Sequence, residues 1–254
     1  GFVLTLHLLM AVTVAAPNTK DALGSHSIED ANKLISELLI EGDIMRFPNA
    51  DAITDGTYQS EDATNTRAKR GAPVMNAGRW PKNQPIGYTF ISEYEEPWKA
   101  AIRAATEQIA ANTCLSFQEN ALNGTKLQIY QGSSQYGCSS FLGHSGKATQ
   151  LISLNSNCTF VGAVQHEIAH ALGLHHTQTR YDRDLYIKVN LTNAVPGCEG
   201  NYEKLIAAAT NYNYDVPYEY GSKMHYDALS FSKNGLPVIT ALQSEHQNTM
   251  GQAR

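Results

Sequence analysis

At 254 residues the chain has room for one large domain plus a smaller piece, and its 19 Lys and Arg against 24 Asp and Glu leave a formal charge of −5. The acidic excess is local: residues 17–70 carry 6 basic and 10 acidic side chains, whereas 71–254 carry 13 and 14. No basic face is available to neutralise phosphates, which argues against nucleic acid as a partner.

The chain opens on an apolar run from Phe2 to Ala16 that ends in small residues. This is the pattern of a secretory signal peptide, predicted over 1–16 with cleavage near Ala15 or Ala16. The run is short for a bilayer span, and no later run could cross a membrane, so the expected destination is extracellular. With no initiator Met and no basic lead, the natural chain is expected to begin a few residues earlier. Cys114, Cys138, Cys158 and Cys198 suggest two disulfides in an exported chain, with three pairings open. Sequons at Asn123, Asn157 and Asn190 are compatible with glycosylation. Asn157, next to Cys158, is the least suited of the three.

Ser27 with Asp30 three residues on has the form of a helix N-cap. Ile28, Ala31, Leu34, Ile35, Leu38 and Leu39 then recur at helical spacing. From 49 to 66 the sequence is small and polar, a linker with almost nothing to bury. It ends in RAKR at 67–70. A basic tetrad in an exposed segment is a processing signal for a basic-specific convertase, predicting cleavage after Arg70. Residues 17–70 therefore read as a propeptide and 71–254 as the main body, large enough for a substantial core.

In that body Pro97 suits a first helical turn, and Trp98, Ile102, Ala105 and Ile109 share one side of the helix that follows. LQIYQ at 127–131 and QLISL at 150–154 alternate as strands, and a histidine-rich helix is predicted from about Ala163. Strands before helices, with long Tyr-rich loops after them, predict an α+β fold.

The stretch HEIAHALGLHHTQTRYDRD at 166–184 carries the chemistry. His166 and His170 lie four apart, on one helix face about 6 Å apart along the axis. Their imidazoles can converge on one zinc ion. Glu167 points past the ion, where it can hold a water and take its proton, the logic of H-E-x-x-H peptidases. A catalytic zinc usually takes three protein ligands. Gly173 lets the helix end and the chain return, but helical geometry does not choose between His175 and His176. The extended motif H-E-x-x-H-x-x-G-x-x-H does, and its last position is His176. SKMHY at 222–226 puts Met224 where such enzymes have a Met-turn beneath the metal.

These residues resemble the astacin family of metzincin endopeptidases, and are similar to its nematode members. The family signature continues through a T-R-x-D-R-D segment, matched by Thr179, Arg180, Asp182, Arg183 and Asp184, and its S-x-M-H-Y turn is matched by Ser222, Met224, His225 and Tyr226. RWPKN (79–83), NTC (112–114) and SFSKNG (230–235) also match. The resemblance implies a two-lobed fold with a twisted N-terminal sheet, an active-site helix and an irregular C-terminal subdomain. It implies one Zn2+ held by His166, His170 and His176, with Glu167 and Tyr226 catalytic and Tyr226 a fourth ligand at rest. It implies a Cys138–Cys158 disulfide and protein or peptide substrates. IEGD at 40–43 resembles the family's F-x-G-D propeptide segment, implying that Asp43 takes the water's place on zinc in a zymogen. Three departures stand out. Thr177 replaces the family glutamate that pairs with the new N-terminus. A family catalytic domain would run roughly fifteen to twenty residues further. The partner of Cys114 would lie in that stretch, leaving Cys114 and Cys198 open. The competing reading is a non-catalytic zinc-bearing binding homologue, against which the intact ligands and Glu167 argue; a nearer one, a metzincin of another branch, is disfavoured by Tyr226.

Overall fold

The structure, a computed structural model, describes residues 39–41, 43–45, 79–81, 83–91, 93–132, 137–205 and 216–251. The predicted signal peptide, the linker, Arg70 and all of the predicted propeptide helix except Leu39 lie outside those residues.

The alternating strands form as their sequences dictate. In β5 (Lys126–Gln131) Leu127 and Ile129 turn inward while their neighbours are half-buried or exposed. β7 (Thr149–Leu154) alternates in the same way before becoming buried on both faces. Together with β3 (Ile86–Phe90), β4 (Phe117–Glu119) and β6 (Ser139–Ser140) they make a mixed sheet. β3 pairs in parallel with β4 and β5, β5 in parallel with β7, and β6 antiparallel to β7. Beyond β6 the sheet is extended by β1 (Leu39–Ile40) and β2 (Ile44–Met45), with β2 parallel to β6 at Ile44 and Ser140. Leu39, the last residue of the predicted helical stripe, is therefore in a strand. Pairing with β2 through the turn at Glu41 satisfies its backbone there.

Two helices pack on the sheet. α1 (Glu96–Asn112) carries Pro in its first turn and buries Ile102, Ala105 and Thr106, with Trp98 and Ile109 partly buried against the same core. α2 (Val161–Ala171) begins two residues before the predicted start. Its N-cap, Phe160, makes no side-chain capping bond, so the sequence carries no polar signal to mark that end. At the other end Trp80 Nε1 donates to the Ala171 carbonyl at 2.7 Å, satisfying one of the acceptors a helix C-terminus leaves over. The Cys138–Cys158 disulfide, Cα atoms 6.3 Å apart, ties the start of β6 to the turn before α2. Cys114 is exposed and Cys198 buried, and the two are not bonded to each other.

Below α2 a second core gathers Ile187, Tyr202, Tyr218, Tyr220, Tyr226, Phe231, Val238 and Ile239. Its regular structure is slight: a two-stranded ribbon of β8 (Ile187–Val189) and β9 (Ile239–Ala241) with short 3-10 turns. The α+β, two-lobed architecture expected from the sequence is the one observed, with α2 between the two cores.

Candidate metal centre

α2 places His166 and His170 one turn apart, both buried. The helix ends where Gly173 takes φ 103°, its N–H bonded to the His170 carbonyl at 2.8 Å. The reversed chain then brings buried His176 back toward the helix. His166 Nε2 lies 3.0 Å from His170 Nε2 and 3.1 Å from His176 Nε2.

The other ring nitrogens fix what these atoms can do. His166 Nδ1 faces the Lys223 carbonyl at 2.7 Å, and His170 Nδ1 faces the Leu174 carbonyl at 2.7 Å. A carbonyl only accepts, so each Nδ1 carries the proton and each Nε2 a lone pair. His176 Nδ1 is likewise 3.0 Å from a carboxylate oxygen of Glu41. Three lone pairs therefore converge on one point, and an acidic residue joins them. Asp43 Oδ2 is 2.9 Å from His166 Nε2 and 3.3 Å from His176 Nε2, and Oδ1 is 3.1 Å from His170 Nε2. One ligand atom from each of the four residues lies within 4.8 Å of all the others, and all four side chains are buried.

Four electron-rich groups in a dry pocket require a positive charge among them. On the side chains alone a proton supplies it. Burial pushes His176 down, but Asp43 and Glu41 outweigh it and raise its pKa to about 10. Burial prevails at His170 and holds it down, at about 4. Burial would raise Asp43 and Glu41, yet the surrounding imidazoles, His176 foremost for Asp43 and His175 for Glu41, hold both carboxyls well below the usual range. A zinc ion fits the donor set better than a proton does. Tetrahedral coordination at about 2.0–2.1 Å separates ligand atoms by roughly 3.3 Å, close to the spacings seen.

The Met-turn lies directly beneath. Met224 is buried, and its carbonyl accepts the Thr177 N–H at 2.7 Å. Tyr226 N–H donates to Gln178 Oε1 at 3.1 Å, which pins the turn to the loop after the third histidine. The Tyr226 ring centroid is 4.7 Å from that of His176, and its hydroxyl donates to the Glu41 carbonyl. His225 Nδ1 donates to the Tyr226 carbonyl at 2.6 Å and its Nε2 meets the Tyr218 hydroxyl at 2.7 Å. Burial pushes His225 down, to about 4, so the ring is neutral. Arg180 forks onto Asp182 at 2.9 and 2.7 Å, and Arg183 donates to the Gln178 carbonyl at 3.0 Å. The T-R-x-D-R-D segment thus braces the loop that carries His176. Glu167 is fully buried on α2 beside the first histidine.

Two features of the site have no signal in the sequence. One is Glu41, which fills the unspecified position of the IEGD match to F-x-G-D, so that the motif assigns it nothing. The other is Gln178, an ordinary polar residue whose role appears only once the Met-turn packs against it. Asn123 and Asn190 are both exposed, on loops outside the histidine cluster. Asn190 Oδ1 accepts from Thr192 N and Oγ1 at 3.2 and 2.7 Å. Thr177 is buried, and the segment at 71–78 that would have met a glutamate there lies outside the described residues.

Comparison with known proteins adds to this geometry. Residues 74–254 match the peptidase family described as Astacin. Zinc metalloproteinase nas-37 of Caenorhabditis elegans is 35% identical over 221 residues, covering 87% of this chain and 27% of that protein. Zinc metalloproteinase dpy-31 of the same organism is 35% identical over 84% of this chain and 36% of its own length. Blastula protease 10 of Paracentrotus lividus is 34% identical over 84% of this chain and 35% of its own. The chain thus spans about a quarter to a third of these relatives. Among solved structures, high choriolytic enzyme 1, a hatching enzyme zinc-protease from Oryzias latipes, superposes with a TM-score of 0.61 at 30% identity, over 69% of this chain and 86% of that one.

Proposed function

The chain belongs to the astacin family of peptidases, and on that premise we propose that it is a secreted zinc-dependent endopeptidase made as an inactive precursor. The observation that carries the reading is the convergence of three Nε2 lone pairs with their Nδ1 protons already committed. His166, His170 and His176 would hold the ion, with Tyr226 a further ligand at rest. Zinc, when bound, acidifies a water and polarises a carbonyl as a Lewis acid.

The chain's own residues do the rest. Glu167 takes a proton from the attacking water and hands it to the departing amine, a carboxylate acting first as base and then as acid. The Tyr226 hydroxyl donates to the oxygen on which negative charge builds. β6 offers an edge to which an extended peptide can add, as β2 does here through Ser140 N–H and the Asp43 carbonyl at 3.1 Å. Burial of the reacting groups keeps bulk water away and strengthens each of these interactions.

The same edge supports the precursor half of the proposal. Residues 43–45 lie against β6 with Asp43 among the histidines, where a substrate would have to be. In this reading 1–16 is a signal peptide, 17–70 a propeptide removed after Arg70 by a basic-specific convertase, and 71–254 the catalytic domain. No helix among the described residues is long and apolar enough to cross a membrane.

Hydrolysis of a generic protein by chain cut after Arg70, with and without a zinc chelator, tests the reading. Activity is expected to vanish with chelator and to fall by about 10²–10⁴ in Glu167→Ala, the usual contribution of general acid–base catalysis. Hydrolysis that survives either treatment overturns the mechanism.

A further inference from the structure

His175 stands next to a metal-ligating candidate yet contributes no atom to the cluster of ligand atoms. Its Nδ1 instead faces Glu41 Oε1 at 2.6 Å. The second oxygen of the same carboxylate, Oε2, accepts the His176 backbone N–H at 3.0 Å and lies 3.0 Å from His176 Nδ1. Both oxygens of one buried carboxylate are thus met by N–H groups of two adjacent residues, a bidentate and charge-assisted arrangement. The backbone carbonyl of Glu41 accepts the Tyr226 hydroxyl as well.

Glu41 also holds φ 51°, a left-handed conformation that a residue with a Cβ seldom adopts unless its surroundings enforce it. Here the surroundings are the side-chain contacts to His175 and His176 and the carbonyl contact to Tyr226. Glu41 and Asp43 do not compete, because they engage different atoms. Asp43 meets the Nε2 atoms that face the ion, while Glu41 meets Nδ1 atoms and a backbone N–H behind them.

We propose that Glu41 is a second latch of the inhibitory segment, its carboxylate gripping the His175–His176 pair independently of the hold Asp43 has at the metal ligands. The proposal rests on the reading of 39–45 as inhibitory and deepens it. His175, unneeded by the metal, is the residue that makes the grip two-handed. While the segment is docked, Glu41 is a positioning residue for His176, since a ligating imidazole is oriented by the acceptor of its other N–H. Releasing the segment therefore means parting two buried carboxylates from their partners rather than one.

Hydrogen exchange of the segment 39–45 in the uncut, zinc-loaded full chain tests this. Glu41→Ala and His175→Ala are each expected to speed exchange about tenfold or more, as the loss of a charge-assisted bond to a buried partner implies. The double variant should exchange no faster than Glu41→Ala, because that change already removes the one contact His175→Ala removes. Asp43→Asn combined with Glu41→Ala should exchange faster than either alone, because Asp43 also meets His166 and His170, which Glu41 does not touch. Glu41→Gln, which keeps the shape and one acceptor oxygen, should be intermediate. Where Glu41→Ala fails to fold, judged by zinc content and near-ultraviolet circular dichroism, His175→Ala and Glu41→Gln carry the same test. Exchange at the wild-type rate in His175→Ala and Glu41→Gln, while Asp43→Asn opens the segment, overturns the latch and leaves the inhibitory reading standing. Uncut wild-type chain that hydrolyses protein as fast as cut chain overturns both.

Discussion

Asp43 and His166 are 123 positions apart in the chain, yet Asp43 Oδ2 lies 2.9 Å from His166 Nε2, inside a pocket with almost no solvent exposure at either side chain. That contact sets a segment outside the family-matched region 74–254 against the metal-binding face of α2. It makes Asp43 the most direct test of the proposed latency. In uncut chain, Asp43→Ala is expected to raise the residual hydrolysis of a protein substrate by about tenfold or more, the factor that follows from losing about 1.4 kcal/mol of hold. An uncut variant as silent as wild type counts against a role for Asp43 in latency.

The neighbouring histidines separate by zinc content. In chain cut after Arg70, His176→Ala is expected to weaken zinc binding by more than about 100-fold, beyond the roughly 10–100-fold typical of losing an outer partner. His175→Ala should keep one zinc per chain under the same dialysis. The opposite pattern, read by elemental analysis, would place the third ligand at the wrong histidine.

Gly173 turns the chain with φ 103°, a conformation that costs a residue with a Cβ about 1–3 kcal/mol. Gly173→Ala is expected to lower the denaturant midpoint accordingly and also to weaken zinc binding, since the turn delivers His176. Unchanged stability together with unchanged zinc affinity would mean that the turn is not what positions the ligand.

Glu119 offers a check on electrostatics away from the metal. Arg103 forks onto it at 2.8 and 3.1 Å, and this bonding holds its carboxyl below the ordinary value of 4.5. The folded pKa lies below the unfolded one, so the pair contributes stability above about pH 4.5 and loses it as the pH falls through the folded value. Both side chains are partly solvent-exposed, 38% and 27%, so the contribution is screened. Glu119→Gln should lower the urea midpoint slightly at pH 7 and leave it unchanged in strong acid. Equal urea midpoints for the two proteins at pH 7 would assign the pair no net role.

Some of the site could be read directly because its geometry is local. A helix repeats every 3.6 residues, so His166 and His170 had to share a face wherever α2 packed, and Gly173 marked the place where the chain could turn back. The alternation in 126–131 and 149–154 announced strands for the same reason. Features set by distant partners were harder to see. Leu39 continues a helical stripe in sequence, but pairing of β1 with β2 makes it a strand. The start of α2 carries no capping side chain, and so no mark. Gln178 and Glu41 are unremarkable as residues and acquire roles only through the Met-turn and the histidine pair that fold against them.

The pair of histidines at 175 and 176 shows where the division falls. The extended motif assigned His176 to the metal, where helical geometry by itself did not choose between the two. What His175 touches was decided by tertiary structure. Glu41 lies 134 positions away, and no local period or propensity relates the two. Only the docking of β2 on the edge of β6 brings that carboxylate to the two imidazoles. Once Glu41 is buried there against half-buried His175 and buried His176, its charge needs those N–H groups, because a carboxylate is not stable in a dry pocket without a partner.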